Sequence, residues 1–387
     1  MNRETFSKID YTLIFIVFLF ACISFISIYN APLDQGGRAT SFAYKQIGWY
    51  VFSMIVAFLI TIVDYERLKR LHWIFYGFGI IMLLGLTFAK LGLPVPLAAY
   101  VNGAWSWYNV PAAGRLQPSE FMKLFLIISL SVEIDKHNET YSIRSSHEDW
   151  LLLGKIALIS LPPFALVFLQ PDLGSALVMI SIVVSLILVS GINLKFITGM
   201  FALIGSGIVF FFISWFKFPA IINLILASHQ KDRFLAWLDP YKYQNDYGFQ
   251  VLSALNSIGS GQFFNQKIDP SITIPESYND FIFAVIGGSF GFVGAGLVIL
   301  LFFIMIYRII RTAMETHDPF GSYICTGIIG MLMFQVFENV GMTVLVMPVT
   351  GITLPFLSYG GSSLLSSLIC VGLVMSVQMR TQKYMFT

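Results

Sequence analysis

Charge is what this chain most lacks. Only 11% of its 387 residues are Asp, Glu, Lys or Arg, whereas a soluble domain carries about a quarter. That shortage excludes an ordinary soluble globular domain. A net charge of +2 with no basic block offers no footprint for nucleic acid. Cysteine is scarce as well. Cys22, Cys325 and Cys370 lie inside apolar runs without metal-ligand spacing, which excludes a disulfide scaffold and a thiolate metal site. No low-complexity tract, strong internal repeat or soluble domain is evident.

What the chain has instead is apolar length. It is 57% hydrophobic and 16% aromatic, with a mean hydropathy of +0.77. Runs of roughly 17 residues or more recur throughout, the length a helix needs to cross a bilayer. The expectation is an all-α polytopic integral membrane protein of about ten transmembrane helices. Spans are expected near 12–29, 46–63, 73–93, 118–134, 151–169, 175–190, 195–216, 281–306, 321–347 and 363–379. They form a single membrane domain over 1–387, with one long loop at about 217–280 between the seventh and eighth spans. The first run follows Arg3 and Lys8 without a convincing small-residue cleavage site, so it is expected to remain as a span.

Ten spans put both termini on one side. With the N-terminus cytoplasmic, inner segments hold most of the 23 Lys and Arg, among them Arg67, Lys69, Arg70, Arg308, Arg311 and Arg380. The unusual motifs then gather on the outer face, where chemistry or binding is expected. The segment "WFKFPAIINLILASHQKDRFLAWL" reads as an amphipathic helix lying in the interface.

Several outer motifs carry candidate chemistry. In "LQPSEFMKL", Pro118 suits a first helical turn, and Glu120 and Lys123 share a face. A lone Lys123 inside the bilayer would cost about 2.5–3.5 kcal/mol or more, so it needs a partner, either Glu120 or Asp172 of "QPDLG". The cluster reads as a structural ion network or as a substrate contact. In "NGAWSWYNV", Trp105 serves an interfacial aromatic belt or a platform for a headgroup. Nearby, Arg115 could hold a phosphate. Arg233 either pairs with an acid or binds substrate, and Gln250 and Ser260 are polar contacts in "GFQVLSALNSIGSGQF". "SYGGSS", opened by Ser358, offers hydroxyls and backbone N–H groups to an anion, or forms a tight turn.

"TIPESYNDFIFAVIG" poses the sharpest question. Asp280 stands just before an apolar run, where it could cap the helix N-terminus or act as a catalytic base. Glu276, four residues earlier, and the other outer motifs point to a shared cavity.

Taken in order and spacing, "YKQIGWY", "IVDYERLKRL", "LQPSEFMKL", "QPDLGSA", "DRFLAWLDP", "IPESYNDFIFAVIG" and "ENVGMTVLVMPVTGITLPFLSYGGSS" resemble the SEDS family (shape, elongation, division and sporulation), with RodA-type members the nearest. The resemblance covers nearly the whole chain. It implies a peptidoglycan glycosyltransferase that links lipid II into glycan strands at the outer leaflet and releases undecaprenyl pyrophosphate. The family's essential acid falls on Asp280 and its functional aromatic on Trp105, while Glu120, Lys123 and Asp172 match its intramembrane polar cluster.

The implied mechanism has Asp280 take a proton from the acceptor hydroxyl. Arg115, Arg233 or Lys123 would stabilise the pyrophosphate, and a divalent cation, Mg or Mn, could substitute. The implied partners are lipid II, undecaprenyl-linked glycan, a class B penicillin-binding protein transpeptidase docking near the eighth and ninth spans, and elongation-complex membrane proteins. Two departures matter. Gly288 and Ser289 stand where many members carry an acidic pair, which leaves Asp280 as the favoured base. The usual basic residues around Trp105 are missing, which argues against phosphate binding by that loop. A lipid-linked precursor flippase and a non-catalytic scaffold are the alternatives, as is a division or sporulation role within the family.

Overall fold

The computed structural model describes residues 9–32, 39–101, 103–111, 114–141, 145–218, 222, 228–245, 247–264 and 273–381. Ten long helices follow the expected order: α1 Tyr11–Asn30, α2 Thr40–Ile62, α3 Leu68–Lys90, α4 Pro118–Thr140, α5 Ser146–Leu169, α6 Leu173–Val189, α7 Leu194–Lys217, α10 Ile282–Glu315, α11 Pro319–Thr343 and α12 Gly361–Arg380. Two shorter helices, α8 Ser228–Leu238 and α9 Tyr247–Ser260, lie between α7 and α10. Eight of the ten are long and apolar enough to cross a membrane, and α6 is a shorter apolar helix of 17 residues. The protein is a multi-pass membrane protein.

The tenth long helix, α4, carries charge toward both ends, Glu120 and Lys123 near its start and Glu133, Asp135 and Lys136 farther on. Between residues 118 and 135 only Phe121, Phe125 and Glu133 escape full burial. A helix buried all round can hold Glu120, Lys123 and Asp135 because protein, rather than lipid, supplies their partners. At one end of the bundle Lys69 bridges Asp135 at 2.8 Å and Asp318 at 3.6 Å, which ties α3 to α4 and α11.

Local chemistry sets the helix ends. Asp10 caps α1 through Thr12 N and Leu13 N, and Asp318 with Pro319 opens α11. Glu148 closes a capping box with Ser145 at α5. Helix α10 is longer than the span expected at 281–306 and changes direction at Gly291, where φ is 65°. A β-carbon there would lie 2.7 Å from Gly261 O and Phe263 O. Only glycine allows both the turn and the approach of the chain after α9.

The loop around Trp105 is an antiparallel sheet of three strands, β1 Ala98–Val101, β2 Ala104–Val110 and β3 Gly114–Leu116, with Ala99 opposite Trp107 and Tyr108 opposite Leu116. The aromatic-rich "AWSWYNV" suits a pleated, half-buried surface. Tyr108 Oη donates to Met82 O, and Ser106 Oγ donates to Gln170 O, so the sheet is pinned to α3 and to the end of α5.

Part of the amphipathic helix expected over 215–238 lies outside the described residues. The part seen as α8 packs Phe234 against Trp215 of α7 at 4.2 Å, and Trp237 Nε1 donates to Leu345 O. Along α7 itself only Ser214 is buried. Helix α7 is held near its ends, with Phe196 on Trp150 and Trp215 on Phe234, and its middle stands off from the bundle.

Candidate active site

The turn before α10 is built by Glu276. At φ 52°, its carbonyl accepts from Asn279 N and Phe281 N, and its carboxylate accepts from Asn279 Nδ2 at 2.7 Å. Phe281 occupies the N-cap of α10, and no side chain caps the helix. Asp280 therefore does not serve as a helix cap. Among the described residues its carboxylate accepts no hydrogen bond, while its backbone carbonyl is held by Asn339 Nδ2 at 2.7 Å.

Asn339 also donates to Ile352 O at 2.7 Å, which fastens the segment after α11 to the turn before α10. Ser358 adds a second tie, donating to Asn279 O and accepting from Leu354 N. Tyr359 N donates to Tyr278 O. These bonds bring Gly351 against Asp280. At φ +78°, a β-carbon on Gly351 would lie 3.3 Å from Asp280 Oδ2 and 3.5 Å from Arg233 Nη1. Arg233 reaches in from α8 and donates to Thr350 O at 3.4 Å.

Desolvation drives the Asp280 carboxyl up to about 7, the Glu276 charge adds to the rise, Arg233 opposes it and Asp172 adds a little more. A carboxyl poised there is half ionised near neutral pH, which suits a general base.

Two cavities lie beside this turn, bordered by Arg233, Thr350 and Gly351, and Asp280 itself lines neither. A groove of about 750 Å³ is walled by Leu177, Ile204, Ile208, Phe211, Phe234 and Trp237, and its polar end holds Asp172, Gln230, Arg233 and Thr350. A smaller polar cavity of about 40 Å³ is lined by Gln117, Glu120, Lys123, Asp172 and Gly351. Asp172 borders both. The arrangement can hold an apolar chain in the groove, an anion at Arg233 and a proton acceptor at Asp280.

The intramembrane cluster resolves into two parts. Lys123, 1% exposed, pairs with Glu120 at 2.8 Å, and the other Glu120 oxygen accepts from Ser366 of α12 at 3.0 Å. Asp172 instead caps α6 through Ser175 N and accepts from Gln117 Nε2 and Ser119 Oγ. The partner of Lys123 is thus Glu120, and the cluster knits α4 to α6 and α12.

Other candidates lie elsewhere. Trp105 sits half-buried on β2 beside Tyr100, and the Arg115 side chain is exposed on β3. Gln250 and Ser260 belong to α9, which packs along α10, and the Ser260 hydroxyl turns back to Ser257 O. The Ser358 hydroxyl is fully engaged by backbone. Sequence reasoning missed Asn339, Thr350 and Gly351 as parts of the site. The available signal was a Glu–Asn pair inside an apolar span, a costly placement.

Comparison with known proteins agrees with this architecture. The sequence profile of the FtsW/RodA/SpoVE cell cycle proteins matches residues 10–383. Stage V sporulation protein E of Bacillus subtilis (strain 168) is 32% identical over 95% of this chain and 96% of its own length. Peptidoglycan glycosyltransferase RodA of Treponema pallidum (strain Nichols) is 28% identical, covering 98% of this chain and 100% of its own. A solved chain from a peptidoglycan synthase complex that coordinates polymerization and crosslinking superposes with a TM-score of 0.78 at 28% identity, over 97% of this chain and 99% of that one. Matched along nearly its whole length, the chain belongs to the FtsW/RodA/SpoVE family, the SEDS membrane proteins.

Proposed function

We propose that this protein is a peptidoglycan glycosyltransferase that polymerises lipid II, with Asp280 as general base. The supporting observation is the state of the Asp280 carboxylate: it caps no helix, accepts no hydrogen bond among the described residues and shares the Gly351 contact with Arg233, which lines the apolar groove.

The donor's polyprenyl chain lies in that groove, with its pyrophosphate at Arg233. The acceptor's 4-hydroxyl approaches Asp280, which removes its proton as the oxygen bonds to the donor's anomeric carbon. The bond from that carbon to the pyrophosphate oxygen breaks, and undecaprenyl pyrophosphate leaves. Arg233 balances the charge that gathers on the leaving group. The reacting end faces outward and both termini lie in the cytoplasm, as the distribution of Lys and Arg supports.

Among the described residues no group of three or more His, Cys, Asp or Glu is placed to hold a metal ion. A Mg or Mn ion at the pyrophosphate would take most of its oxygen ligands from the substrate's phosphates and water.

The partner is a class B penicillin-binding protein that crosslinks the strands, docking on the exposed flank of α10 and α11 around Phe303 and Phe337. Support comes from the solved relative, which is part of a synthase complex. The role is cell elongation. Depletion checks it: rounded cells are expected, whereas filaments or failed spores would assign division or sporulation instead.

The central test supplies labelled lipid II to purified protein with its transpeptidase partner. Glycan ladders are expected from the parent, and none from Asp280→Asn with the fold retained. Ladders of undiminished yield from that variant would overturn the assignment of the base. Headgroup translocation in liposomes without polymer would favour a flippase.

A further inference from the structure

Glu338 of α11 has no role in the reaction described above, yet its placement is unusual. It is 0% exposed. One carboxyl oxygen, Oε1, accepts from Thr350 Oγ1 at 2.9 Å, and the other has no hydrogen-bond partner among the described residues. No Lys, Arg or His of the described residues bridges to it. Burying a carboxyl in this way is expensive, and a leucine would fill the space without that cost. The one interaction gained is the grip on Thr350.

That grip acts on the site. Thr350 precedes Gly351, whose bare Cα faces both Asp280 Oδ2 and Arg233 Nη1. The Thr350 carbonyl accepts the Arg233 guanidinium at 3.4 Å. Next in sequence to Glu338, Asn339 holds the carbonyls of Asp280 and Ile352. Two successive residues of α11 therefore clamp the two sides of one short segment. Asn339 fixes the base, and Glu338 fixes the residue that supports the cation.

We propose that Glu338 is a positioning residue of the transferase: by accepting from Thr350 Oγ1 it sets the Thr350–Gly351 segment and so the placement of Arg233 beside Asp280. The inference rests on the proposed role of Asp280. What the position requires is a buried acceptor of the right reach, not a negative charge.

Four single variants and one double variant of the full-length protein, assayed with its partner on labelled lipid II, test this. Glu338→Leu and Thr350→Val each lose the hydrogen bond while keeping bulk. Each should lower kcat/KM by about tenfold or more, because misplacement of about 1 Å can cost a hundredfold. The double variant should be no worse than either single one, as expected when both remove a single interaction. Glu338→Gln and Thr350→Ser keep an acceptor and a hydroxyl, and should restore turnover.

A pH profile separates positioning from general loss of fold. The charges that reach Asp280 are Glu276, Arg233 and Asp172. Loosening Arg233 removes the one that favours the ionised form, so the acid limb of kcat/KM should move to higher pH in Glu338→Leu and Thr350→Val. Full turnover in Glu338→Leu would overturn the proposal. So would loss in Glu338→Gln as deep as in Glu338→Leu, or losses that multiply in the double variant, or an acid limb that stays in place. Asp280→Asn in the same assay separates the two claims: if that variant polymerises normally, the assignment of Asp280 as the base fails, whatever Glu338 does.

Discussion

Asp280 and Glu276 show how two neighbouring carboxylates take different roles. Glu276 is bonded to Asn279 within its turn, while Asp280 is left unbonded and desolvated. Replacing Asp280 by Asn should lower polymerisation by about 10²–10⁴-fold, the usual contribution of general-base help. In the parent, kcat/KM should rise with pH through about 7, as Asp280 loses its proton. Glu276→Gln removes a charge that opposes ionisation, so the limb should move to lower pH; a limb that stays put would separate the two residues. The same shift bears on stability. The folded-state value is raised, so the contribution of neutral Asp280 is complete in acid and is lost as pH rises through about 7. The melting temperature of the parent in detergent should fall relative to Asp280→Asn across that window. The buried Lys123–Glu120 pair makes a different prediction. Lys123→Met alone leaves an unpaired acid and should cost about 3–5 kcal/mol, whereas Lys123→Met with Glu120→Gln should recover most of the melting temperature.

At the scale of elements, the apolar runs made the ten long helices legible, because a bilayer leaves the backbone of a long apolar segment little choice but helix. Asp280 was legible through its motif, although its freedom from capping was not: sequence position alone fits a cap equally well. The β1–β3 sheet was hidden because Trp105, Trp107 and Tyr108 also fit an interfacial belt. Asn339, Thr350 and Gly351 were hidden for another reason. Their role depends on bonds to Asp280, Ile352 and Arg233 that exist only once α8, α10 and α11 have come together. The bend of α10 offers a test at this scale. Gly291→Ala adds a β-carbon into two carbonyls at a left-handed φ, so it should destabilise by more than the roughly 1 kcal/mol of an ordinary glycine effect. Gly296→Ala, where nothing lies within 4 Å, should be neutral or slightly stabilising by melting temperature.

Over the whole molecule, polar ties at the two ends of the bundle do different work. At one end, Lys69 with Asp135 and Asp318, and Arg308 with Asp10 at 2.6 Å, join distant helices and hold the frame. At the other, Asn339 and Ser358 hold the turn that carries Asp280, beside a groove that α7 and α8 help to wall. A single cysteine placed at Ile208, which lines that groove, should lose polymerisation when a bulky thiol is attached to it through a mixed disulfide, and reductant should restore it. Of the native cysteines Cys325 and Cys370 are buried, and the partly exposed Cys22 is replaced by serine to remove background. Because α7 is anchored near its tips and exposed in between, a lipid-linked substrate is expected to enter and leave the groove sideways, within the plane of the bilayer. Turnover should therefore follow the surface density of substrate, as its mole fraction in the vesicle wall, and should stay unchanged when the same vesicles are diluted in buffer.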